Sequence, residues 1–298
     1  MRRFLSLIGV GLMVAACTGT GPDGSGGASP SSGASATPAP TTYSVETGSD
    51  KLIMRLTQGG GLVPLSYFLT GMPVFALYGD GQIMVKGPVI EIYPAPLLPN
   101  LRVLRVTPEE IQKIIAAADV AGLLGPDASF DATDVFDAGT SVFTTTVAGK
   151  THRISAYALY AEFKADDPAV NAARARLMTY LDIITNLSAF LGHQVSDEEA
   201  YEPTSMRVFA GPADGTNSQG VTRQVVDWPL ALDPATAGEP SANTTFRCIA
   251  LSGSNLTAFV TVAKGANGLT IWKASSGRYS VMVRPNYPDE SGCPSVTP

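Results

Sequence analysis

Short apolar runs broken by glycine- and aspartate-rich turns fill residues 52–106, a spacing that predicts strands. Leu52-Ile53-Met54-Arg55-Leu56 reads as the first, and Gly59-Gly60-Gly61 breaks it. Residues 74–78 and 82–86 flank Gly79-Asp80-Gly81, the turn chemistry of a β-hairpin, in which Asp80 serves the turn. Residues 101–106 alternate apolar and basic side chains, as a half-buried strand does. The period then changes. Thr107-Pro108-Glu109-Glu110 supplies a capping residue, a proline suited to the first helical position and a glutamate that completes a capping box. Ile111, Ile114, Ile115 and Ala118 make one apolar helical face, which Gly122 ends. Strands over 141–147 and 151–159 turn at Ala148-Gly149-Lys150. A longer helix starts near Pro168, with Val170, Ala173, Leu177, Leu181, Ile184 and Leu191 at helical spacing up to Gly192. Ser196-Asp197-Glu198-Glu199 predicts a further, shorter helix start.

The remaining chain predicts strands at 207–209, 225–228 and 244–251, a short helix over 256–263, and strands at 269–273 and 279–284. Laid side by side, the halves suggest two related βαββ units. One comprises 101–106, 108–121, 141–147 and 151–159; the other comprises 244–251, 255–264, 269–273 and 278–284. The expected fold class is α+β: twisted antiparallel sheets, each packed by a helix and joined by the longer helix. The matching organisation is an N-terminal unit over 44–165, connecting helices over 166–200 and a C-terminal unit over 201–298.

The first 43 residues are of another kind. Arg2 and Arg3 precede an apolar stretch, 4–14, that suits a signal peptide and is too short to span a bilayer. Val14-Ala15-Ala16-Cys17 then resembles the lipobox of bacterial lipoproteins. That resemblance implies cleavage after residue 16 and attachment of a diacylglyceryl group, its chains fatty acids such as palmitate, to the Cys17 thiol. Two acyl chains would anchor the protein stably on the extracytoplasmic face of a cell membrane. Residues 18–42 are Gly, Ser, Pro, Thr and Ala with a single Asp23, a composition that predicts a flexible tether.

The chain carries 20 basic and 26 acidic residues, a net charge of −6, and losing Arg2 and Arg3 with a leader leaves −8. No basic stripe is visible, so nucleic acid and anionic headgroups are poor partners. With Cys17 lipidated, Cys248 and Cys293 remain as an even pair, and in an oxidising compartment a disulfide is the natural reading.

Candidate chemistry is sparse. His152 and His193 lie far apart and lack carboxylates at ligand spacing, and neither cysteine has the spacing of a metal site. No cofactor is implied. Asp127, Asp131, Asp134 and Asp137 form an acidic loop that either binds calcium or serves ordinary turn chemistry; its spacing does not match a calcium loop. No Gly-x-Ser-x-Gly elbow occurs. Among the acids, Asp80, Glu91, Asp289 and Glu290 stand out; Asp80 is, with Trp228, a candidate binding residue, and the last two read as a surface or local salt-bridge group. Trp228-Pro229-Leu230 reads either as a binding ledge or as a core anchor. The proline-rich run 93–99 reads as a polyproline-like surface segment or a rigid crossing between strands.

Leu77-Tyr78-Gly79-Asp80-Gly81, residues 91–99 and 118–124, Trp228-Pro229-Leu230, and Arg284-Pro285 with Pro288-Asp289-Glu290 are similar to a family of uncharacterised exported bacterial lipoproteins. The resemblance covers most of the folded part. It implies the localisation and carries over no activity, ligand or catalytic residue. The expected function is a lipid-anchored, non-enzymatic binding module that meets a protein or polymer of the cell envelope. Two alternatives are an envelope-processing hydrolase whose carboxylates meet only in the fold, and a secreted-protease inhibitor using 211–220 as an exposed loop.

Overall fold

A computed structural model describes residues 41–132, 134–162, 164–192, 195–213, 220–241 and 244–293. The leader, Cys17, most of the tether, His193 and residues 214–219 of the proposed inhibitory loop lie outside them. The described chain is α+β, with two sheets and five helices. Among the described residues no helix is long and apolar enough to cross a membrane.

The first sheet has eight strands. In spatial order they are β5 (Ala128–Phe130), β7 (Lys150–Tyr157), β6 (Thr140–Val147), β1 (Leu52–Gly59), β2 (Phe75–Tyr78), β3 (Gln82–Lys86), β4 (Leu101–Arg105) and β8 (Glu199–Ala200). Every neighbouring pair is antiparallel except β5 and β7. At the β2–β3 turn, Gly81 takes a left-handed φ of 84°, which the predicted hairpin requires. One face is covered by two helices, α2 (Pro108–Val120) and α3 (Pro168–Thr185). The capping box of α2 forms as expected: the Thr107 side chain accepts from Glu110 N, and the Glu110 carboxylate accepts from Thr107 N. Its stripe Ile111, Ile114, Ile115 and Ala118 meets Leu177, Tyr180, Leu181 and Ile184 of α3 over Phe75, Leu77 and Ile83 of the sheet. Thus α3 supplies the first core rather than standing as a bridge.

The strand period of two sends the alternate residues, Ala76, Tyr78, Met84 and Val103, to the opposite face. That face is also buried, because Tyr287 from the end of the chain lies on it. All four residues of β2 are therefore buried.

The second sheet runs β10 (Val225–Asp227), β13 (Ile271–Ala274), β14 (Gly277–Pro285), β9 (Ser205–Pro212), β12 (Arg247–Ser252) and β11 (Glu239–Pro240), with β10 and β13 its parallel pair. The short α4 (Leu187–Leu191) follows α3, and helix α5 (Gly253–Ala263) covers one face of the second sheet. Its Phe259 stacks on the fully buried Trp272 at 5.2 Å between ring centroids, and Trp228 meets both rings edge-on. The proline-rich run is a crossing: Leu97 N donates to Ala266 O, and Gly268 N donates to Ala95 O, joining it to the turn after α5.

Three sequence expectations change. The two halves are not ordered as related βαββ units. Three strands separate β4 from the β6–β7 hairpin, whereas β9 alone separates β12 from β13–β14; the leading hairpin strand lies inside in the first sheet and the trailing strand in the second. The shorter helix at 196–199 is instead the approach to edge strand β8. Ser196 accepts from Arg105 N through its hydroxyl and donates its own N–H to Arg105 O, so it extends the sheet rather than capping a helix. Residues after the glycine run also form a helix that no periodicity announces, α1 (Leu65–Thr70).

Cys248 and Cys293 are joined by a disulfide that closes 45 residues. It ties strand β12 to the end of the described chain. Cys293→Ser is expected to lower the free energy of unfolding by about 2–4 kcal/mol. Urea unfolding followed by tryptophan fluorescence checks this, since both tryptophans sit in the second core; an unchanged midpoint would contradict it.

Candidate functional site

Arg55 pairs across the sheet with Ala76, so it lies on the face that receives the C-terminal segment. There its Nη2 meets Asp289 Oδ1 at 2.6 Å, and Nη1 stands 3.8 Å from Glu290 Oε1. The guanidinium also lies 5.9 Å from the centre of the Tyr287 ring. Tyr78 donates its hydroxyl to the same Asp289 oxygen at 2.7 Å. From the second sheet, Arg284 grips Glu290 with two parallel bonds of 2.6 and 2.8 Å, and its Nε donates to Gly71 O. The Glu290 carboxylate also accepts from Tyr287 N.

This arrangement answers a local conflict. Arg284 stands directly opposite Arg207 on the neighbouring strand, and like charges there repel. Glu290 offsets the repulsion, and Arg207 turns its Nε to Gly292 O at 2.7 Å. Burial followed by the Arg284 charge pulls the Arg207 guanidinium below its usual range. Burial alone would raise Glu290, but the hydrogen bonds and charge of Arg284 outweigh it and hold the carboxyl below the usual range. Tyr78 is pushed up by burial and then by its bond to Asp289. Tyr201 rises to about 12, through burial and then the charges of Glu290 and Asp289.

The acids Asp289 and Glu290 thus meet as the local salt-bridge group read in the sequence. Glycoside hydrolysis needs one carboxyl raised to act as an acid. Glu290 moves the opposite way, which suits a clasp.

Beside this clasp, α1 carries Tyr67 between two clefts. One, of about 220 Å³, is lined by Arg55, Thr57, Phe68, Gly71, Arg284 and Glu290 among others. The other, of about 410 Å³, is lined by Gly60, Leu62, Asp137, Thr140, Ser141 and Tyr160 among others. Gln58, Gly59 and Tyr67 border both. Gln58, near the end of β1, orients the rings: its carbonyl accepts from Tyr67 OH, and its Nε2 donates to Tyr160 OH at 2.5 Å. Phe68 and Tyr160 remain about 60% exposed. Beside the lining residues Gly60 and Leu62, the backbone approaches closely. A Cβ on Gly61, whose φ is 77°, would lie 2.8 Å from Asp137 O, so only glycine fits. Arg174 of α3 donates to the carbonyls of Phe130, Tyr157 and the cleft residue Ala158 and pins the ends of β5 and β7. Burial lowers its pKa.

Of the residues singled out from sequence, Asp289 and Glu290 form the clasp and Asp137 lines the larger cleft; the others lie elsewhere. Asp80 is exposed in the hairpin turn and accepts from Gln82 N at 3.0 Å and from the Gln82 side chain. Trp228 is a half-buried core anchor whose Nε1 donates to Leu232 O. Glu91 is exposed on the proline-rich crossing. His152 is buried, its Nδ1 2.6 Å from Gly125 O. Asp127 accepts from Arg153 N, and among the described residues no three His, Cys, Asp or Glu side chains gather as a metal site. The cleft residues were missed because single exposed aromatics in a loop have no period. Arg174 did leave a signal: it is a charge inside the apolar stripe of α3.

Glu290 also sets a pH dependence. A depressed carboxyl contributes stability that is fully present above its ordinary pKa and is lost as pH falls through the folded value. Glu290→Gln is expected to cost about 3 kcal/mol at neutral pH, because it leaves Arg284 poorly compensated. It should also flatten the fall in stability between about pH 5 and 3. Urea titrations at several pH values check both; parallel profiles for the two proteins would contradict the assignment.

Set against protein-family models, curated proteins and solved structures, the chain gives no match in any of the three comparisons.

Proposed function

We propose that this protein is a lipid-tethered binding module on the extracytoplasmic face of a bacterial membrane, and that the clefts around Tyr67 meet an envelope protein or polymer. The observation that carries the binding reading is the pair of tyrosine rings set on Gln58 at the mouth of a cleft of about 410 Å³. Rigid aromatic side chains offer large contact area at low entropic cost, and the volume is that of ordinary ligand sites.

The address is supported by the lipobox-like Val14-Ala15-Ala16-Cys17, by the tether after it and by the Cys248–Cys293 bridge, which suits an oxidising compartment. The hydrolase alternative has less support. The two acids that converge, Asp289 and Glu290, are held by Arg55 and Arg284.

Two expected outcomes test the proposal. The full chain expressed in a bacterial host fractionates with membranes, and Cys17→Ala releases it; unchanged retention would contradict lipid anchoring. A photoreactive residue in place of the exposed Leu62 captures an envelope component in intact cells, whereas one in place of Leu232 does not. Equal capture at both positions would contradict a role for the clefts.

A further inference from the structure

We infer that the ligand of the Tyr67 clefts is a neutral chain of pyranose sugars; this rests on the binding reading above and names its substrate class. The hydroxyls of the two tyrosines are engaged by Gln58 while Tyr67 and Tyr160 stay 40% and 62% exposed, which leaves ring surface for a ligand to meet. A pyranose ring has an apolar C–H face that suits an aromatic surface, and its edge carries hydroxyls that donate and accept. The cleft supplies matching groups: Asp137 as an exposed acceptor and Thr140 as a hydroxyl partner.

Charge favours a neutral sugar over an anionic polymer. The arginines that line the smaller cleft, Arg55 and Arg284, are bound by Asp289 and Glu290, Asp137 adds a negative charge, and the chain as a whole is at −6. The shape favours a chain over a single sugar, because two clefts adjoin on either side of Tyr67 and share Gln58 and Gly59. Glycine at position 59 leaves the junction open. A Cβ there would meet nothing within 4 Å, and its φ lies outside the left-handed region, so a larger residue fits without strain.

Calorimetric titration of the full chain with neutral β1→4-linked hexasaccharides, of glucose and of N-acetylglucosamine, tests the inference. At least one is expected to bind, and Gly59→Leu and Tyr160→Ala should each weaken binding by at least about tenfold. Val89→Ser, at an exposed position outside the clefts, should leave it unchanged. Thermal melting establishes that the variants are folded; should Gly59→Leu fail to fold, Tyr160→Ala at its exposed position decides. Binding of neither sugar, tighter binding of an anionic polysaccharide, or wild-type affinity in a folded Gly59→Leu protein would each overturn it. If neither sugar binds while capture at position 62 persists, the sugar assignment falls and the binding module stands.

Discussion

Glu290 sits between two guanidiniums, and the relation of the two sheets depends on it. Arg284 and Arg207 face each other across β14 and β9, and Arg55 approaches from β1. Without a carboxylate among them, three positive charges would share a largely buried space. A buried ion pair is weak evidence of net stability, since desolvation offsets much of its attraction. Its clearer consequence is geometric. The bidentate grip of Arg284, the bond from Tyr287 N and the Arg55–Asp289 contact fix the course of 287–290. That course lays Tyr287 on the second face of β2–β4, where it donates to Pro73 O. The disulfide at Cys293 then returns the chain to β12.

The same clasp shapes the surface. Arg284 holds Gly71 at the end of α1 through its carbonyl. A helix of six residues with no side-chain cap has little stability of its own, so tertiary contacts must hold it in place. Tyr67 and Phe68 are thereby presented next to the clasp, and Gln58 bonds the hydroxyls of both Tyr67 and Tyr160. The paired charges of the clasp hold the scaffold and border the smaller cleft, and aromatic residues with Thr140 and Asp137 line the larger one.

Local chemistry was legible in the sequence. The capping box at Thr107, the hairpin turn at Asp80, the apolar stripes of α2 and α3 and the α5 helix each follow from patterns within one or two turns of chain. The disulfide followed from counting cysteines. Strand order was not legible, because β1, β2 and β3 enter between β4 and β6 for reasons of core burial that no repeat in the sequence encodes. Nor was the site. Arg55 and Asp289 are 234 residues apart, and their pairing depends on which face of β1 is covered. The 196–199 stretch illustrates the competition: Ser, Asp and Glu suit a helix start, but Ser196 found its backbone partner on Arg105 instead.

Hydrogen exchange in the native protein tests the clasp most directly, read separately on peptides from β2–β3 and from β9–β14. If the 287–290 segment locks the sheets together, both sets open in one cooperative unit with a common free energy, and the double substitution Asp289→Asn with Glu290→Gln separates them. Sheets that already exchange independently in the unaltered protein, or that stay coupled after both carboxylates are removed, would contradict the account.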